Sequence, residues 1–102
     1  MHALIEQHLA GIAAICKRYR IARLEVFGSG AQDGEQFSTG SDADFLVQFA
    51  TDARTGLDEF FGAKSELEGL LGREVDLVEA GAVRNPYVLR SIDRSRELIY
   101  VA

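Results

Sequence analysis

The chain has 102 residues, 47% apolar and 26% charged, with a formal net charge of −5. This length supports one compact domain with one modest core, and the composition is ordinary for a soluble globular protein. The acidic balance and the lack of a Lys/Arg cluster argue against a sequence-independent grip on long DNA or RNA, which needs a basic face.

The single cysteine, Cys16, has no intrachain partner for a disulfide and suits a reducing cytoplasm. No apolar run approaches a membrane span, and Glu6 and His8 interrupt the N-terminal segment where a signal peptide would be apolar. The expectation is a soluble, cytoplasmic chain with a single domain over residues 1–102.

Residues 3–19 read as a helix, because Ile5, Leu9, Ile12, Cys16 and Tyr19 recur at spacings of four and three and share a face. Lys17, Arg18 and Arg20 crowd its C-terminal end, where cations complement the helix dipole. Ala22-Arg23-Leu24-Glu25-Val26-Phe27 reads as a strand ending at Gly28, and the polar stretch 31–40 reads as a loop. Asp44 to Phe49 is a second strand. Residues 55–71 form a second helix, with Leu57, Phe60, Phe61, Lys64, Leu67, Leu70 and Leu71 tracing one stripe. Thr55 with Asp58 predicts its capped start, and Gly72 its stop.

A third strand follows over residues 73–78. Asn85-Pro86 opens a last helix, with Asn as cap and Pro in the first turn, running to about Arg94. Glu97-Leu98-Ile99-Tyr100-Val101 closes the chain as a fourth strand. The order α-β-β-α-β-α-β predicts a single small α/β domain, a mixed sheet with flanking helices. Phe60, Phe61 and Cys16 are expected in the core and His2 and His8 at the surface. Tyr87 and Tyr100 fit the core and a partner surface equally well.

The chemistry concentrates between Val26 and Phe49. Gly28-Ser29-Gly30 follows a strand, but Asp33 stands where a dinucleotide fingerprint needs its third glycine, and no Gly-Lys-Ser/Thr follows for a Walker-A loop. What remains is a tight turn whose backbone N–H groups and Ser29 hydroxyl could hold a phosphate, or an ordinary glycine turn. Asp42 and Asp44 are two apart, so in an extended strand they project to one face. Two like charges placed this way favour a cation between them. Asp76 lies among Val75, Leu77 and Val78, an expensive position for a carboxylate unless it is paired or binds metal. If the second and third strands pair, all three carboxylates converge beside the phosphate-holding turn, the set of groups used in two-metal nucleotidyl transfer.

Gly28-Ser29, Ser41-Asp42-Ala43-Asp44 and the later strand carboxylate Asp76 resemble the nucleotidyltransferase superfamily that includes DNA polymerase beta. The small size, the strand Glu74-Val75-Asp76-Leu77-Val78 and the helix opening Asn85-Pro86-Tyr87 look like its minimal, MNT-type branch. The resemblance implies a polymerase-beta-like fold and magnesium-dependent transfer of AMP from ATP. Gly28 and Ser29 would hold the triphosphate, and Asp42, Asp44 and Asp76 the metal ions. Asp76 would also favour deprotonation of the attacking hydroxyl. The resemblance further implies the antitoxin of a type VII-like toxin–antitoxin pair, with a HEPN ribonuclease toxin as partner and one of its tyrosines as acceptor. The family motif continues Gly-Ser-x-Ala-Arg-Gly, whereas this chain has Gln32 and Asp33 in place of Arg-Gly. A module that neutralises its partner by binding alone is therefore the second reading.

Overall fold

The computed structural model describes residues 3–27, 43–50 and 56–102. Its elements in order are α1 (Ala3–Gln7), α2 (Leu9–Arg18), β1 (Ile21–Phe27), β2 (Ala43–Phe49), α3 (Leu57–Leu71), β3 (Val75–Glu79), α4 (Pro86–Ser95) and β4 (Glu97–Val101). The four strands form one mixed sheet in the order β3-β2-β1-β4. β1 is antiparallel to both β2 and β4, and β2 is parallel to β3. A parallel pair needs a crossover, and α3 supplies it.

The expected first helix is two helices meeting at His8. The His8 ring Nδ1 bonds the Leu4 carbonyl at 2.8 Å, while its backbone N–H bonds Ile5 rather than Leu4. The side chain thus takes the acceptor that a continuous helix would use. Arg20, in the left-handed region at φ 57°, turns the chain from α2 into β1. Its carbonyl then accepts from the Ala50 N–H at 2.8 Å, which ties this turn to the end of β2.

The start of α3 also differs from the Thr55–Asp58 expectation. The cap is Gly56, and the Glu59 carboxylate accepts its N–H at 2.9 Å; Thr55 lies outside the described residues. Gly72 ends the helix in the left-handed conformation at φ 69°, as its position predicts. Asn85 caps α4 as expected, accepting from the Tyr87 and Val88 N–H groups.

Alternation along the strands decides the layers. Leu24, Val26, Ala43, Phe45, Val47, Val75 and Leu77 point to one face and pack with Ile5, Ile12, Ile15, Cys16, Ala63, Leu67 and Leu71. The buried stripe of α3 therefore runs through Ala63, Leu67 and Leu71 rather than through Leu57 and Phe61. Those two are 75% and 55% exposed, against the expectation that Phe61 fills the core. Phe60 is half-buried against the core and meets Phe61 edge-on, with ring centroids 5.4 Å apart.

Two helical glycines let α2 and α3 approach closely. A Cβ at Gly62 would stand 2.9 Å from the Tyr19 ring, and one at Gly11 would stand 2.9 Å from Leu70. The Tyr19 hydroxyl donates to Glu66, which also pairs with Arg18, so that ring is held in place.

Cys16 is fully buried, and burial pushes its thiol up to about 12. The native state keeps a proton that the unfolded chain releases above about pH 9, so stability falls as pH rises from there. The slope is at most about 1.4 kcal/mol per pH unit. Urea unfolding at increasing alkaline pH reads it, and Cys16→Ala should remove that share of the slope.

Candidate active site

The opposite face of the sheet carries two of the expected carboxylates, Asp44 and Asp76. Phe27 of β1 pairs with Asp44 of β2, and Asp44 pairs with Asp76 of β3. These three residues form one row across three strands, on the face turned away from the main core. Adjacent strands lie about 4.8 Å apart, so the two carboxylates project side by side. The pairing that the sequence left conditional is present, and in register.

Backbone and side-chain bonds fix the start of the β2–β3 pair. The Ala43 N–H donates to the Glu74 carbonyl at 2.9 Å. The Val75 N–H donates to Glu68 Oε2 at 3.1 Å, and Lys64 lies 3.6 Å from the same oxygen. Glu68 on α3 thus holds the strand one residue before Asp76. It was not anticipated; its only sequence signal is the Lys64–Glu68 spacing of four.

Asp42, Gly28 and Ser29 lie outside the described residues, as do Gln32 and Asp33. Among the described residues, no group of three His, Cys, Asp or Glu side chains converges on a metal position. The described pair presents two carboxylates side by side, hard oxygen donors of the type that divalent cations such as magnesium take.

The burial argument for Asp76 needs correction. Asp76 is exposed, so its flanking apolar residues face the core while it faces solvent. Among the described residues the buried carboxylate is Glu25, only 6% exposed. It is held by Arg23 Nε at 2.9 Å and Arg96 Nε at 3.2 Å, and Arg96 also pairs with Asp93 at 3.1 Å. Glu25 lies in the row next to Phe27, and with Leu46, Leu89 and Ile92 it borders a cleft of about 220 Å³ under α4. The pair with Arg96 fastens the C-terminal end of α4 beside the carboxylate row. An Arg-x-Glu step inside an apolar strand was the available signal.

Two arginines outside the motif, Arg73 and Arg84, could stand in for the cation that Gln32 replaces; Arg73 precedes β3 at the Asp44–Asp76 end of the sheet. Arg84 follows β3 at the far end. The structure therefore favours Arg73 on position.

Residues 10–99 match the family model described as a nucleotidyltransferase domain. The chain belongs to the nucleotidyltransferase family. Among its relatives are MJ0128 and MJ1379 of Methanocaldococcus jannaschii, each named as a candidate protein adenylyltransferase. MJ0128 is 38% identical over 85 residues, 83% of this chain and 81% of the relative. MJ1379 is 37% identical over 84 residues, 82% and 80%. A solved minimal nucleotidyltransferase superposes with a TM-score of 0.67 at 30% identity, covering 90% of this chain and 89% of that one. The MNT antitoxin bound to a tri-AMPylated Shewanella oneidensis HEPN toxin shares the fold, with a TM-score of 0.66 at 14% identity over 96% and 73% of the chains. This nucleotidyltransferase thus has the mixed-sheet architecture expected from its sequence. Among its described residues, no helix is long and apolar enough to cross a membrane.

Proposed function

We propose that this nucleotidyltransferase is a magnesium-dependent protein adenylyltransferase that moves AMP from ATP to a tyrosine of a HEPN-type toxin, as the antitoxin of a type VII-like pair. The observation that carries the reading is the in-register pair Asp44–Asp76 at the mouth of the sheet. The protein adenylyltransferase names of the archaeal relatives support the acceptor class, and the AMPylated toxin in the structural neighbour supports the partner.

Asp42, Asp44 and Asp76 would hold the divalent ions, which when bound supply charge neutralisation for the nucleotide phosphates. Gly28 and Ser29 would hold the triphosphate, a role that turn N–H groups and a hydroxyl suit. Asp76, exposed at the open side of the row, faces the incoming acceptor and takes the proton of its hydroxyl. The tyrosine oxygen forms a bond to the α-phosphorus in line with the departing oxygen, and pyrophosphate leaves with the bonding pair. Positioning and charge neutralisation carry the rate, without a covalent enzyme intermediate.

The test is an intact-mass spectrum of the HEPN partner incubated with this chain, magnesium and ATP. The expected result is an AMP-sized increase that is absent with the Asp42→Asn, Asp44→Asn variant. A partner that stays bound and neutralised at unchanged mass would contradict transfer. It would establish instead the binding-only reading that Gln32 and Asp33 favour.

A further inference from the structure

The helix α4 lies on the same face of the sheet as the carboxylate row and is lightly embedded, with Ile92 its one buried residue. Its surface composition is unlike the rest of the chain. Residues 84–96 hold four of the eleven basic side chains and one of the sixteen acidic ones. The remaining seven basic and fifteen acidic residues leave the rest of the molecule at −8.

No basic run is visible in the sequence because these arginines are spaced along it; helical geometry gathers them. Tyr87, Arg90, Ser91 and Arg94 fall at i, i+3, i+4 and i+7, one stripe on the side away from Ile92. Tyr87 is 78% exposed and Val88 45% exposed beside it. Arg96 is neutralised by Glu25 and Asp93, but among the described residues no ion pair holds Arg84, Arg90 or Arg94. Exposed arginine beside exposed tyrosine is the residue combination that protein interfaces concentrate.

We infer that this stripe of α4 docks an acidic surface of the protein acceptor. The inference rests on the proposed protein adenylyltransferase reading and adds the chemistry by which the acceptor is chosen. A compact acidic surface meets the stripe while facing away from the other acidic residues. A long polyanion would run onto them and be repelled. The place suits the reaction: α4 ends at Ser95, and β4 begins at Glu97, which pairs with Val26 next to Phe27 of the carboxylate row. An acceptor docked on the stripe is therefore held on the helix whose C-terminal end adjoins the carboxylate row.

The probes are two fluorescent peptides with a central tyrosine, one flanked by Asp and Glu and one by Lys, titrated by anisotropy into the full chain. The acidic peptide should bind about tenfold more tightly than the basic one, and more weakly as salt rises. Arg90→Glu with Arg94→Glu should remove that preference at an unchanged melting temperature, because both side chains are exposed. Asp44→Asn should keep it. A wild-type chain that binds with the acidic preference yet transfers no AMP would thus speak against the catalytic reading alone. Wild-type protein without the preference, or a double variant that retains it, would overturn the docking surface. So would a single-stranded RNA that binds through Arg90 and Arg94 more tightly than the acidic peptide.

Discussion

Asp44→Asn is expected to lower nucleotidyl transfer by about a thousandfold while the domain stays folded. Asp44 is the middle member of the row Phe27–Asp44–Asp76, so it stands beside Asp76 and beside the end of β1. Asparagine keeps the size and one oxygen but removes the charge that offsets the phosphates. Losing several kcal/mol of charge stabilisation in the transition state costs a factor of ten for each ~1.4 kcal/mol. Pyrophosphate release with saturating ATP measures the effect, and thermal melting reports the fold. A variant that keeps a tenth or more of the wild-type rate would remove Asp44 from the proposed chemistry.

The largest expected effect on stability belongs to Phe45. It is fully buried on β2, a central strand, one residue from Asp44 and on the opposite face. Phe45→Ala removes a ring from a packed core and should cost about 3–5 kcal/mol. That is a large share of the roughly 5–15 kcal/mol that holds such a domain, and it should lower Tm by roughly 15 °C or more. Phe61→Ala is the matched control: its ring is 55% exposed, and the change should stay within about 0.5 kcal/mol. Urea unfolding of both variants decides the matter. Equal losses would mean that Phe61, as its sequence spacing predicts, belongs to the core after all.

That pair shows where sequence was sufficient and where it was not. Strand alternation put Asp42 and Asp44 on one face, but Asp76 joined them only if the second and third strands paired; β2 and β3 do pair, with Asp44 opposite Asp76. The Asn85-Pro86 helix start and the Gly72 stop were legible because each is set by local backbone chemistry. The stripe of α3 was misjudged because seven apolar or long residues cover almost two helical faces, and only tertiary contact with α2 selects Ala63, Leu67 and Leu71. The break at His8 depends on a ring nitrogen reaching the Leu4 carbonyl, which periodicity does not register. The same limit explains Asp76 and Glu25. Both are carboxylates in apolar strands, but Glu25 is covered by α4 and paired with two arginines, whereas Asp76 is open. Which carboxylate a helix will cover is a question of topology. The arginines of α4 likewise form a surface feature only when wound into a helix.

The most direct test of the central claim is manganese binding, followed by electron paramagnetic resonance in the presence of a non-hydrolysable ATP analogue. The Asp44–Asp76 row predicts a site in the wild-type protein that weakens about tenfold or more with either Asp44→Asn or Asp76→Asn. The double variant should lose less than the product of the two, because both carboxylates serve one site. Wild-type affinity in Asp76→Asn would contradict the account, because the third strand would then contribute no ligand.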